Sequence, residues 1–250
     1  AGDVYKRQSM YCKATRTQIK LLLSQWGALL AFLALICAGV FWAIHRQSAP
    51  TADAQDGPTA LELEDLTPLS VPLLPDEACS TAAQEMVEQL PDSPIIARVE
   101  ATSSSMSHDG AMVQRFYVVD VYAGEGLQNG DLIWLTSSQW NLPESPTSGH
   151  LQTGYVNLPQ NSWEYLVFLQ GPADAFQSIY EQPVYQLRDD LTLAPILCYT
   201  DWNAEVEEGQ GDTMLYKEAR WHEFCTQTQQ GMDTLMEAKH QVMEQFPQED

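Results

Sequence analysis

Positive charge is scarce over most of this chain. Beyond residue 46 it holds six Lys and Arg residues against 33 Asp and Glu, a net charge of −27. Nucleic-acid binding rests on Lys and Arg neutralising phosphates, so that partner class is excluded, and anionic lipid is disfavoured for the same reason. Cysteine is also sparse: of Cys12, Cys37, Cys79, Cys198 and Cys225, only the last three can meet an oxidising exterior. Three thiols allow one disulfide and leave one over, which excludes a disulfide-dense scaffold. The chain has no Gly-x-Ser-x-Gly, no His-Glu-x-x-His and no phosphate-cradling glycine loop, so the sequence signatures of common hydrolases, zinc proteases and nucleotide binders are missing.

What is present is a long apolar run. Leu21–Ile44 is 24 residues without a formal charge, and Ser24 and Gln25 are its clearly polar members. At about 1.5 Å per residue it is long enough to cross a hydrocarbon core of roughly 30 Å. Lys6, Arg7, Lys13, Arg16 and Lys20 precede it, which favours a cytoplasmic N-terminus and an extracytoplasmic C-terminal part. AGDVYKRQSM reads as a translated adapter ahead of a start at Met10, and the charge bias survives without Lys6 and Arg7. Ala52-Asp53-Ala54 offers a signal-peptidase alternative. However, the 19-residue apolar core Trp26–Ile44 exceeds the roughly 7–15 of a signal peptide, so an uncleaved anchor is expected. The expected organisation is a tail over 1–20, an anchor over 21–44, a proline-rich acidic linker over 45–75 and a folded extracytoplasmic domain over 76–250.

Within that domain, Asp76 is placed to N-cap a helix that ends at Leu90-Pro91, with Cys79, Ala82, Ala83, Met86, Val87 and Leu90 on one face. Strand patterns follow at 95–101, 113–123, 131–136, 163–169, 183–187 and 193–199, with a further short one near 154–158. Thr102–Gly110 reads as a Ser-rich loop, Asn129-Gly130 as a turn and 137–161 as a long polar loop. Trp163–Leu169 is the most apolar strand and is expected to be central. Two helical segments close the chain, Met214–Gln227 and one after Gly231 with Met232, Leu235, Met236, Val242, Met243 and Phe246 on one face.

IIARVEA, FYVVDVYAGEGLQNGDLIWLTS and WEYLVFLQGP, between Pro94 and Pro172, resemble bacterial secreted proteins with a small OB-like or netrin-like barrel. The inhibitory domain of the tissue inhibitors of metalloproteinases has that barrel type. The resemblance implies an α+β fold: a small antiparallel OB-like β-barrel with an N-terminal flanking helix and C-terminal helices, preceded here by one transmembrane helix. It implies no catalytic residues. Ala123 stands where family members carry a basic residue, and Cys79 stands alone where metalloproteinase inhibition needs paired N-terminal cysteines.

Candidate chemistry is thin. Ser103, Ser104 and Ser105 precede His108-Asp109, but a polar loop of this composition is ordinary and triads are defined by geometry. His222, Cys225 and Cys198 supply three zinc ligands at best. Glu205, Glu207, Glu208 and Asp212 lack the spacing of a calcium loop. Trp134 and Trp163 read as core residues, which leaves Trp140 and Trp202 as loop residues able to contact a ligand. The reading that follows is a membrane-anchored, non-catalytic binding domain, neither enzyme nor cofactor protein, with a protein or glycan as partner. Two alternatives stand beside it: a cell-surface hydrolase using the Ser-rich loop, and a structural accessory subunit of a membrane complex.

Overall fold

The computed structural model describes the backbone of Thr59–Ala60 and residues 66, 69–108, 110–141, 157–206 and 211–248. Asp56–Asp250 forms one unit. The anchor segment Leu21–Ile44, the cleavage alternative at Ala52–Ala54, Cys12 and Cys37 lie outside the described residues. Among the described residues no helix is long and apolar enough to cross a membrane.

The fold is α+β with a sheet-rich core. Among the described residues, strands β1 (Thr59–Ala60), β2 (Ser70–Pro72), β3 (Ile95–His108), β4 (Ala111–Ala123), β5 (Leu132–Asn141), β6 (Glu164–Pro172), β7 (Val184–Leu187), β8 (Ile196–Cys198) and β9 (Thr213–Leu215) alternate with helices α1 (Asp76–Gln89), α2 (Tyr216–Ala219) and α3 (Gln229–Met243). β3 pairs antiparallel with β4 and with β6, β4 with β5, and β6 with β7 and β8, while β5 and β7 run parallel. β6 therefore has strands on both edges, and Tyr165–Leu169 are all buried. An unbroken apolar run is what a strand covered on both faces requires.

Several elements differ from the sequence expectation. The Ser-rich segment is not a loop: β3 continues through Ser105, Met106 and Ser107 opposite Gln114, Val113 and Met112. Backbone pairing with β4 overrides the weak strand propensity of serine. The expected helix over 214–227 is reduced to Tyr216–Ala219, because Thr213–Leu215 pairs with Ser70–Pro72 and Cys225 O accepts the Leu74 N–H at 2.8 Å. That pairing also carries Leu69, Val71, Leu73 and Leu74, from the proline-rich stretch, into the core. Finally, residues 157–158 carry no strand, and the rest of 154–158 lies outside the described residues.

Helices α1 and α3 pack tightly at their N-termini. Gly231 is so close to α1 that a Cβ there would stand 2.7 Å from Cys79 Sγ. Asp76 is not the cap of α1 but its first helical residue, and its carboxylate accepts a hydrogen bond from Thr228 Oγ1. The same Thr228 oxygen caps α3 by accepting the Gly231 N–H at 3.1 Å. Thr228→Ala removes both bonds, and we expect a loss of about 1–2 kcal/mol. The measurement is a shift of the urea midpoint to lower denaturant, with Thr228→Ser close to wild type. A wild-type midpoint in the alanine variant would refute this capping role.

Candidate functional site

The register of β3 against β4 slips between Ala101, opposite Phe116, and Ser105, opposite Gln114. Thr102, Ser103 and Ser104 thus stand against Arg115 alone, a bulge that turns hydroxyl groups out of the ladder. Side chains hold it open. Gln114 Nε2 donates to Thr102 O at 3.3 Å, and Arg115 Nη2 donates to Ser104 Oγ at 2.7 Å. Gln114 is buried, which for a side-chain amide requires such partners.

The same Gln114 amide reaches across to Pro159 O at 3.0 Å and so fixes the opposite wall. That wall, residues 157–161, is pinned at its base by buried Asn157. Asn157 Nδ2 donates to Ala219 O at 2.8 Å and His222 O at 2.9 Å, while its Oδ1 accepts from the Tyr216 hydroxyl at 3.2 Å. The Gln160 N–H donates to the Tyr165 hydroxyl at 2.7 Å. Burial pushes the Tyr165 phenol far above its ordinary pKa, so it accepts as a neutral hydroxyl. The wall ends in a turn where Ser162 takes a left-handed conformation (φ 62°) and donates its N–H to Ala101 O at 2.7 Å. Trp163 follows, exposed, with Trp202 edge-on against it at 5.3 Å between ring centroids.

Between bulge and wall lies a cavity of about 230 Å³. Thr102, Ser103, Ser105, Gln114, Gln160 and Asn161 supply its polar lining, and Leu66, Leu158, Pro159 and Tyr216 its apolar part. Among the described residues of that lining Tyr216 is the one titratable side chain, and burial pushes its phenol up, away from any acid–base role near neutrality. His108 stands at the far end of β3, opposite Ala111, and does not line the cavity. Asp109 lies outside the described residues.

The tryptophans singled out from sequence separate. Trp140 lies in strand β5, not in a loop, and is 1% exposed within the main core. Trp202 is half-buried, with its indole against Cys198, and its ring neighbour is Trp163. Trp163, expected in the core, is surface-exposed, because β6 begins one residue later. Trp134 is buried as expected, in a second small core with Val113, Tyr180 and Val184 on the outer side of β4 and β5.

The metal-type clusters considered from sequence have other uses. His222 Nδ1 lies 3.0 Å from Asn203 O, while Cys198 and Cys225 are buried free thiols. Burial pushes these thiols up to about 11 and about 12, so both stay protonated and unreactive at neutral pH. Glu207 and Glu208 lie outside the described residues. Among the described residues no three His, Cys, Asp or Glu side chains converge as a metal cage.

A larger cleft of about 500 Å³ lies at the C-terminal end of α1, where Glu88, Asp92, Asp189, Asp190 and Arg188 line it. Arg188 is already committed there, with two hydrogen bonds to Asp190 and a third, at 2.7 Å, to Gln89 O at the end of α1. Its guanidinium holds the Asp190 carboxyl below the usual range. This is a helix-end staple, not a receptor for an anion. The position of Gln114 was the readable signal for the candidate site. It shares the inward face of β4 with Met112, Phe116 and Val118, and a polar residue on such a face needs a local reason. No protein-family model matches the chain, and no curated protein matches it.

Proposed function

We propose that the chain is a non-catalytic binding domain displayed outside the membrane by the Leu21–Ile44 segment. The order of strand pairing, β3–β4–β5–β7–β6 with β6 again beside β3, supports reading the sheet as a small OB-like barrel. A fold of that type hosts many activities, so the site has to carry the functional argument. The observation that carries it is the lining of the bulge cavity. Ser103 and Ser105 stand there among amides and hydroxyls, and the described residues of the lining include no base of the kind a serine nucleophile requires. The cavity's walls are held by buried Gln114 and Asn157, a pre-organised arrangement suited to binding.

The competing hydrolase reading is tested by treating the full chain, in lipid nanodiscs, with a fluorophosphonate probe and mapping adducts by mass spectrometry. No adduct is expected on Ser103, Ser104 or Ser105. A stoichiometric adduct that disappears in Ser103→Ala would overturn the non-catalytic reading.

A further inference from the structure

We infer that the cavity between the β3 bulge and residues 157–161 binds one neutral sugar ring. This rests on the binding-domain reading and names the ligand class for the same site. Charge favours such a ligand. In a region with 33 acids, the described residues of the lining include neither a carboxylate for a cationic ligand nor a Lys or Arg for an anionic one. Its chemistry matches a ligand that is polar and uncharged.

Hydrogen-bond capacity favours it too. Thr102, Ser103 and Ser105 are hydroxyls that both donate and accept, while Gln160 and Asn161 bring amides with separate donor and acceptor ends. Sugar hydroxyls also do both, and a ring presents several of them around its edge. The faces of the ring carry C–H groups, for which Leu158 and Pro159 provide apolar contact. The size of the cavity also fits. At about 230 Å³ the cavity falls below the roughly 300–1,000 Å³ of sites for drug-sized ligands and suits a single ring, not an extended peptide. The site is also rigid: Gln114 bonds both walls and Asn157 anchors one of them, so binding requires little further ordering.

The test uses the full chain in lipid nanodiscs free of glycoside detergent, with saturation-transfer NMR. The probes are the methyl glycosides of glucose, galactose, mannose and N-acetylglucosamine, together with glucuronic acid and glucosamine. At least one neutral glycoside should receive saturation, and both charged sugars should bind about tenfold more weakly or not at all. Ser103→Ala and Asn161→Ala remove exposed groups from opposite walls without a core change, and each should weaken the neutral sugar by about tenfold. Near-UV circular dichroism identical to wild type confirms that the fold is intact.

Absence of transfer to all four neutral glycosides, or transfer that survives both variants, would overturn the assignment. An uncharged Gly-Ser-Asn hexapeptide that binds and is lost in Asn161→Ala would refute the sugar while leaving the binding-domain reading in place. Serine labelling by the fluorophosphonate is the separate outcome that removes that reading itself.

Discussion

Lys239→Met should destabilise the fold by about 3–5 kcal/mol, the range typical of removing one partner from a buried ion pair. The Lys239 side chain is 0% exposed on helix α3, and its Nζ lies 2.6 Å from Glu223 Oε2 and 3.0 Å from Asp201 Oδ1. Glu223 is itself buried, and its other oxygen accepts the Cys198 N–H at 2.7 Å. Without the ammonium, that carboxylate must either remain charged in the core or take up a proton and weaken the Cys198 contact. Replacing both partners, in Lys239→Met with Glu223→Leu, should recover most of the loss, since no buried charge is then left alone. Urea unfolding of the three proteins measures this. A single variant as stable as wild type would show that the pair contributes nothing.

The same pair gives the stability a defined pH profile. Burial alone would lower the Lys239 pKa, but the Glu223 and Asp201 carboxylates outweigh it and hold the ammonium above the ordinary lysine value. Its contribution is complete below that ordinary value and disappears as pH rises through the raised one. Burial likewise works against ionisation of Asp201, yet hydrogen bonds from His240 and Lys239 hold its carboxyl below the usual range. That contribution is present above the ordinary carboxylate value and is lost as pH falls through the depressed one. Unfolding midpoints should therefore fall at both extremes, with the alkaline fall reduced in Lys239→Met. The clamp also bears on the candidate site. It fixes Glu223, and the Glu223 O accepts the Asn157 N–H at 2.9 Å, the residue that anchors the cavity wall.

Lys239 also shows how much the sequence reveals. Residues 232, 235, 239, 242 and 246 form one helical stripe, and lysine is its one charged member among Met, Leu, Val and Phe. A charge on that face announces a buried partner, but nothing in the periodicity names Glu223, which belongs to a segment that reads as one helix and is instead a single helical turn followed by irregular chain. Local pattern sufficed where one element's burial determined its residues, as in α1 and β6. It failed where the outcome depended on a distant strand, because pairing energy is not encoded in the segment alone. Ser103–Ser107 joined β3 because β4 lay opposite. Trp140 is enclosed because β5 continues past Thr136, although the segment around it is polar. The bulge cavity arises from two stretches some fifty residues apart, so its hydroxyls and amides were visible separately but not as one site.

Gly124→Ala should be the most damaging of the glycine substitutions, by about 3–5 kcal/mol, through two separable effects. Gly124 ends β4 with φ +93°, a conformation that costs an L-residue about 1–2 kcal/mol. A Cβ there would also lie 2.4 Å from Pro94 O and 2.9 Å from Ile95 Cα, and both neighbours are backbone atoms. Ile95 cannot withdraw freely, since it begins β3 opposite Leu169 of β6, with Ile96 opposite Ala123. Gly130 separates the two effects. Its φ is +89°, but nothing lies within 4 Å of its Cβ position, so Gly130→Ala should show only the conformational loss of about 1–2 kcal/mol. A comparison of the two urea midpoints isolates the close approach of the β4 end to the β3 start. Equal losses at the two positions would refute that approach as the reason for glycine at 124. A clearly larger loss at Gly124 would identify that glycine, at the end of β4, as the point that seats β3 between β4 and β6, and with it the strand whose bulge forms the cavity.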